Sequence, residues 1–405
     1  MIGILPATLL SSIFALTSAT PLRPHHLPRN YAAIGDSFSS GVGSGVFLNN
    51  SRDGLDIQCV RQDGSYPSQL LKIIPFTSYN SNFEFTSCSS DKLDDIDGQV
   101  AKLAALRTKF DLITLTIGGN DFGFGDIAQA CVYPVLSANV TNPQAICDAA
   151  FDAGFAALAD KKNWDKYAQK IHLIKSTLLA HGGKLFVTGY GKFFDDPIVG
   201  DACDKISFFP IAQLAALNMT ASSRLKANNI TDQVNSGIQT VLKHRNDHAV
   251  TFFDFDKSFE GKRFCEAANA ADPIGSNNKN VFFNDLSTVL ITPGVAEVAK
   301  QTPGLQVDIT NLLQQVSVFH PKAQAYTPLV AQFAYKILID SSYSHNVFVG
   351  PTKHCRSHHY NNWRKGGCAG YEVPAKCAIA LRKEQDVAPT VVCENGDSFL
   401  AKPVY

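Results

Sequence analysis

From Asn30 onward, short apolar runs alternate with stretches of helical period, and this alternation restricts the possible folds more than any other feature. Tyr31–Ile34, Phe83–Thr86, Leu112–Ile117, Leu185–Thr188 and Val250–Asp254 are short, rich in β-formers and bounded by Gly, Asn or Asp, as strands are. Between them lie amphipathic helices. Val234, Ile238, Val241 and Leu242 share one face behind an expected cap at Thr231. Tyr167, Ile171, Ile174 and Leu178 stripe the segment Asp165–Ala180, with Gly182-Gly183 as the expected stop. Strand and helix in alternation predict an α/β fold, a parallel sheet covered by helices on both faces.

Composition narrows the function. The chain has 405 residues, with 36 Lys and Arg against 36 Asp and Glu, and 45% hydrophobic residues. Zero formal charge argues against a nucleic-acid partner, and the hydrophobic fraction against disorder. No internal stretch approaches the roughly 20 apolar residues of a membrane span. Met1–Ala19 is uncharged and apolar and ends in small residues, so residues 1–19 are expected to be a signal peptide, followed by a leader at 20–29. The expected location is extracellular, and the expected state a monomer.

The ten cysteines are an even set, as an oxidising compartment favours. Cys59, Cys88, Cys131, Cys147, Cys203, Cys265, Cys355, Cys368, Cys377 and Cys393 are all expected in disulfides, with Cys131 and Cys147 spaced for a local pair. Such a bridge would stabilise by roughly 3 kcal/mol in the loop-entropy account. Sequons begin at Asn49, Asn139, Asn218 and Asn229. The last four cysteines fall in a polar, weakly periodic stretch, 341–405, expected as an extension of a main domain at 30–340. There His354, His358 and His359 beside Cys355 read as an exposed loop rather than a metal site, and no metal is expected. Tyr360, Trp363 and Tyr371 suit either a small tail core or a sugar-stacking face.

Three motifs carry chemistry. Gly35-Asp36-Ser37 follows the first strand, which sets Ser37 at a strand's carboxyl end, where open α/β sheets bind ligands. Gly118-Gly119-Asn120-Asp121 follows Leu112–Ile117 and can aim the Asn120 amide into the same crevice. Phe319-His320-Pro321 precedes a helical stretch through Leu329, Phe333 and Ile337, and the proline sets a helix start behind His320. No Gly-x-Ser-x-Gly elbow surrounds Ser37, because Ser39 stands two residues on, which counts against the α/β-hydrolase class.

In this order the motifs resemble the SGNH (GDSL-type) hydrolases, in particular their secreted bacterial and fungal lipase/esterase branch. The resemblance covers about residues 30–340, with Ser87-Cys88-Ser89-Ser90 in the place of the second block. It implies a three-layer α/β/α fold with a mostly parallel, about five-stranded flavodoxin-like sheet, and a Cys59–Cys88 bridge. It implies no cofactor. Ser37 would be the nucleophile, His320 its base, and the Ser37 and Ser90 amides with the Asn120 side chain the oxyanion hole. Where the family often has Asp three residues before the histidine, this chain has Ser317, so the Ser317 carbonyl is the expected orienting group of a Ser-His dyad. Ser90 replaces the usual glycine, and its amide serves only if the local backbone suits a side chain. The implied substrate is a small-molecule or lipid ester. An acetylated polysaccharide is the alternative, and a non-catalytic carbohydrate-binding protein on this fold a further one.

Overall fold

The computed structural model describes residues 28–73, 82–132, 142–198, 203–204, 217–275, 278–285 and 318–340, with short backbone strands between 370 and 404. Residues 1–27, and with them the expected signal peptide and most of the leader, lie outside the described residues.

Five strands, β1 (Asn30–Gly35), β2 (Asn82–Phe85), β3 (Phe110–Thr116), β4 (Leu179–Thr188) and β5 (Val250–Phe253), form one sheet in the order β2-β1-β3-β4-β5. Every pairing is parallel. The sheet centre is fully buried, with Tyr31–Ile34 and Leu112–Ile113 at 0% exposure. Strands buried on both faces read as near-continuous apolar runs, which is why these segments stand out in the sequence.

The helices are α1 (Ser37–Ser40), α2 (Tyr66–Ile73), α3 (Ile96–Ala105), α4 (Phe124–Ile127), α5 (Pro143–Ala159), α6 (Lys161–Leu178), α7 (Ala221–Arg245) and α8 (Ala323–Asp340). The chain steps one way from β1 to β2 and the other way from β2 through β3 and β4 to β5. Right-handed crossovers then put the connecting helices on opposite faces. In keeping with this, α3, α6 and α7 pack in sequence with one another, while α2 packs with α8. On the α8 side, Phe333 meets Tyr66, Phe186 and Phe253 with ring centroids 4.6–5.7 Å apart.

Two local expectations are corrected. Thr231 is not a cap: α7 starts ten residues earlier behind Thr220, which accepts from the Ser223 amide, and the buried Thr231 hydroxyl bonds the Ala227 carbonyl inside the helix. Threonine serves both roles, and sequence alone does not separate them. Gly182-Gly183 does not stop α6, which ends at Leu178 and passes directly into β4. The glycines lie where the β3–β4 register shifts, and a Cβ on Gly183 would meet the Phe110 carbonyl oxygen at 2.9 Å.

Disulfides join Cys59 to Cys88, Cys131 to Cys147 and Cys203 to Cys265. Cys355, Cys368, His354, His358, His359, Tyr360 and Trp363 lie outside the described residues, as does Asn139. Toward the C-terminus, strands Cys377–Ala380, Thr390–Cys393 and Ser398–Leu400 pair antiparallel, with Cys377 and Cys393 as register partners. Asn49, Asn218 and Asn229 are exposed. No described helix is long and apolar enough to cross a membrane, and no described group of three or more His, Cys, Asp or Glu is gathered as a metal site.

Candidate active site

The site forms at the carboxyl ends of β1 and β3, where the direction of strand order reverses and doubly wound sheets open a crevice. β1 ends at Gly35 with φ +139°, and a Cβ there would stand 2.2 Å from the Thr116 carbonyl oxygen. Only glycine allows the turn this close to β3. Asp36 then caps α1, its Oδ1 accepting the Phe38 amide at 3.0 Å. Ser37 opens the helix and is 8% exposed. The turn is pinned from below: Ser39 Oγ lies 2.7 Å from Ser87 Oγ, Tyr66 donates to Ser39 Oγ, and Tyr326 donates to the Phe38 carbonyl at 2.9 Å.

His320 reaches this turn across 283 residues of sequence, with Nε2 2.7 Å from Ser37 Oγ. Its Nδ1 lies 3.2 Å from the Val318 carbonyl oxygen. Ser317, the expected source of that carbonyl, lies outside the described residues. With Nδ1–H donated to a carbonyl, Nε2 carries the lone pair and can take a proton from the hydroxyl. Sequence reasoning missed what holds the histidine. Asn284, 3% exposed, accepts the Phe319 amide through its own carbonyl and gives its own amide to the His320 carbonyl. Its side-chain Nδ2 donates to the carbonyls of both His320 and Gly43, at 3.0 and 3.1 Å.

Asn120 sits after β3, and its Nδ2 donates to the Asp91 carbonyl at 2.9 Å. That carbonyl belongs to the residue following Ser90, so the amide and the second block are joined. Ser90 has φ +70°, the left-handed backbone that its usual glycine would take freely. Neither the Ser37 nor the Ser90 amide has a hydrogen-bond acceptor among the described residues.

A buried glutamine, also missed in the sequence, ties these pieces together. Gln99 of α3 accepts the Gly35 amide at 2.9 Å and donates to the Gly35 carbonyl at 2.8 Å and to Asp91 Oδ2 at 2.6 Å. The Cys59–Cys88 bridge anchors the second block, and buried Arg61 donates to the Ser87 carbonyl at 2.8 Å while pairing with Asp53. Burial pushes the Asp36 carboxyl up to about 7, against the opposing hydrogen bonds from Tyr190 and the Phe38 amide. Burial likewise raises Asp121 to about 6. Asp121 accepts the Leu93 amide through both carboxylate oxygens, at 3.2 and 3.0 Å, which marks it as scaffold.

Beside the site runs an apolar cleft, lined by residues including Phe124, Phe151, Phe193, Met219, Ile230 and Phe319. Phe319 immediately precedes His320. Phe124 reaches the Ser37 turn through two ring contacts, Phe124–Tyr190 at 5.0 Å and Tyr190–Phe38 at 4.9 Å.

Several known proteins are similar to this chain. The chain is 27% identical over 272 residues to a lipase of Streptomyces rimosus, covering 65% of this chain and 84% of that lipase. It is 27% identical over 279 residues to Lipase 1 of Streptomyces coelicolor, covering 66% of this chain and 85% of that one. Among solved structures, it is similar to the extracellular lipase of Streptomyces rimosus, with TM-score 0.49 and 21% identity over 77% of this chain and 99% of that one. Phospholipase A1 of Streptomyces albidoflavus gives TM-score 0.47 and 21% identity over 74% of this chain and 94% of that one. The model of the GDSL-like lipase/acylhydrolase family matches residues 33–327, well over half the chain, so this protein belongs to that family and is a carboxylic ester hydrolase.

Proposed function

We propose that the protein is a secreted esterase or lipase that cleaves acyl esters through a Ser37–His320 dyad. The observation that carries this reading is the 2.7 Å contact between Ser37 Oγ and His320 Nε2. In the first step Ser37 Oγ bonds to the ester carbonyl carbon as its proton passes to Nε2. The carbonyl oxygen becomes an oxyanion, held by the Ser37 and Ser90 amides and Asn120 Nδ2, each such donor being typically worth about 3 kcal/mol. Collapse breaks the ester C–O bond, the alcohol leaves with the proton from His320, and an acyl-serine remains. Water attacks the acyl-serine with His320 again as base, releasing the acid and restoring the serine. The Val318 carbonyl orients the imidazole and offers the imidazolium a dipole rather than a full charge.

The apolar cleft favours an acyl chain over an acetyl group, because its aromatic and aliphatic lining offers contacts to a hydrocarbon chain that an acetyl group is too short to make. The lipase names of the relatives fit this choice. Three disulfides in the described residues support secretion. The domain at 30–340 accounts for the reaction, with 341–405 as an appended extension, and the exposed Asn49, Asn218 and Asn229 are open to glycosylation.

Nitrophenyl esters graded from acetyl to palmitoyl test the reading. The expected kcat/KM rises from acetyl to the longer chains, and Ser37→Ala and His320→Ala each lower kcat by about 10⁴-fold or more. Turnover by Ser37→Ala at the wild-type rate would reject the dyad. A preference for acetyl esters, or for acetylated xylan, would reject the acyl-chain assignment.

A further inference from the structure

Tyr190 lies two residues beyond β4, and no part of the proposed reaction uses it. Its hydroxyl donates to Asp36 Oδ2 at 2.5 Å and accepts the Gly119 amide at 2.8 Å. Asp36 is the residue before Ser37, and Gly119 the residue before Asn120. One buried hydroxyl thus touches both the nucleophile turn and the loop that carries the Asn120 amide.

The tyrosine is itself held from several sides. Asn235 of α7 accepts the Tyr190 amide and donates to the Tyr190 carbonyl, both at 2.8 Å. Phe38 and Phe124 pack edge-on against its ring at 4.9 and 5.0 Å. A Cβ on Gly119 would come within 3.1 Å of two carbons of that ring, so the loop is drawn as close as a residue without a side chain permits. A rigid post between two catalytic segments sets their separation, and a small error in that separation is costly when the transition state needs nucleophile and oxyanion donors together.

We propose that Tyr190 is a positioning residue of the esterase reaction, its hydroxyl fixing the spacing between the Ser37 turn, through Asp36, and the Asn120 loop, through the Gly119 amide. The inference rests on the reading of Ser37 as nucleophile and Asn120 as oxyanion donor. Tyr190 does not touch substrate. Its effect falls on geometry that matters in the transition state, so kcat rather than KM carries the loss.

Tyr190→Phe keeps the ring contacts and deletes only the hydroxyl. Steady-state kinetics on an acyl nitrophenyl ester are measured well below the melting temperature, for wild type, Ser37→Ala, Tyr190→Phe, Asp36→Ala and the double variant of positions 190 and 36. Tyr190→Phe is expected to lower kcat about ten- to hundredfold with KM within about twofold. In the Asp36→Ala background, which has no side-chain acceptor, the same change is expected to cost less than about threefold, because residues acting through one contact are not additive. A lower melting temperature with unchanged kcat would make Tyr190 a purely structural residue and overturn the proposal. An equal cost in both backgrounds would overturn its route through Asp36. If Tyr190→Phe does not fold, Gly119→Ala presses on the same hydrogen bond from the other side and is read by the same split of kcat from KM. Absent turnover by wild type, or full turnover by Ser37→Ala, would instead remove the dyad reading beneath it, whereas a silent Tyr190→Phe beside an inactive Ser37→Ala would remove this inference alone.

Discussion

The two halves of the candidate site are held in different ways. The serine half is set at strand ends and framed by polar contacts. Gly35 is gripped by Gln99, Asp36 by Tyr190 and the Phe38 amide, and the second block by Arg61 and the Cys59–Cys88 bridge. The histidine half is, among the described residues, the short segment from Val318 to the start of α8. It is suspended from Asn284 and braced by Phe319, whose backbone sits in the left-handed region at φ +64°. The Phe319 ring packs against those of Phe193, Phe194 and Phe264, with centroids 5.2–5.7 Å away. Ring packing holds a strained backbone in place there, next to His320. The first half is held by polar side chains and a disulfide, the second by main-chain and side-chain bonds to Asn284 and by a group of rings.

This contrast predicts where the molecule breaks first. Asn284→Ala removes both side-chain tethers and leaves the half-buried Gly43 carbonyl short of a donor, while the His320 carbonyl keeps the Asn284 main-chain amide, costing about 1–2 kcal/mol of stability. Because the tethers hold His320, the same change is expected to lower kcat about ten- to hundredfold with little change in KM. Thermal melts and ester kinetics check the two effects together. A stable variant with wild-type kcat would mean that the aromatic packing alone positions the histidine, and the contrast between the halves would then be one of chemistry rather than strength.

The same contrast explains what could be read from the sequence. The five strands are legible because burial on both faces makes them continuous apolar runs between turn residues. Ser37, Asn120 and His320 are legible because each stands on a short motif whose local geometry is encoded by its neighbours. Their supports are not. Tyr190 meets Asp36 across 154 residues, Gln99 meets Gly35 across 64, and Asn284 meets His320 across 36, with no local pattern announcing any of the three. A hydrogen bond made only by the tertiary fold leaves no period and no spacing in the chain. Gly182-Gly183 misleads for the opposite reason, since a glycine pair is a common helix stop and here meets a strand's register shift instead.

The polar framing of the serine half brings a pH dependence of its own. Burial lifts the Asp36 carboxyl from 3.8 to about 7, so the folded state holds a proton there that the unfolded chain has already released. Stability from this group is therefore greatest below 3.8 and declines as pH rises through that window, levelling off above about 7. Asp36→Asn keeps a good helix cap and removes the titration. The melting temperature of the variant minus that of the wild type is expected to grow with pH across the window and stay constant beyond it. A difference independent of pH would show that Asp36 does not titrate there, leaving the serine half as pH-insensitive as a frame of neutral groups.

Ser90 gives the smallest expected effect and separates backbone from side chain within the serine half. Its φ of +70° costs a residue with a Cβ energy that glycine does not spend. Against this, glycine loses more freedom on folding, a penalty of roughly 0.5–1 kcal/mol. The two effects nearly cancel, so Ser90→Gly is expected to change stability by no more than about 1 kcal/mol. The main-chain amide, the proposed oxyanion donor, survives the substitution. Accordingly kcat is expected to remain within about twofold of wild type, since one lost donor would cost about a hundredfold or more. A drop of that larger size would transfer the role from the Ser90 amide to its hydroxyl, and the serine half would then depend on a side chain where a glycine should serve equally well.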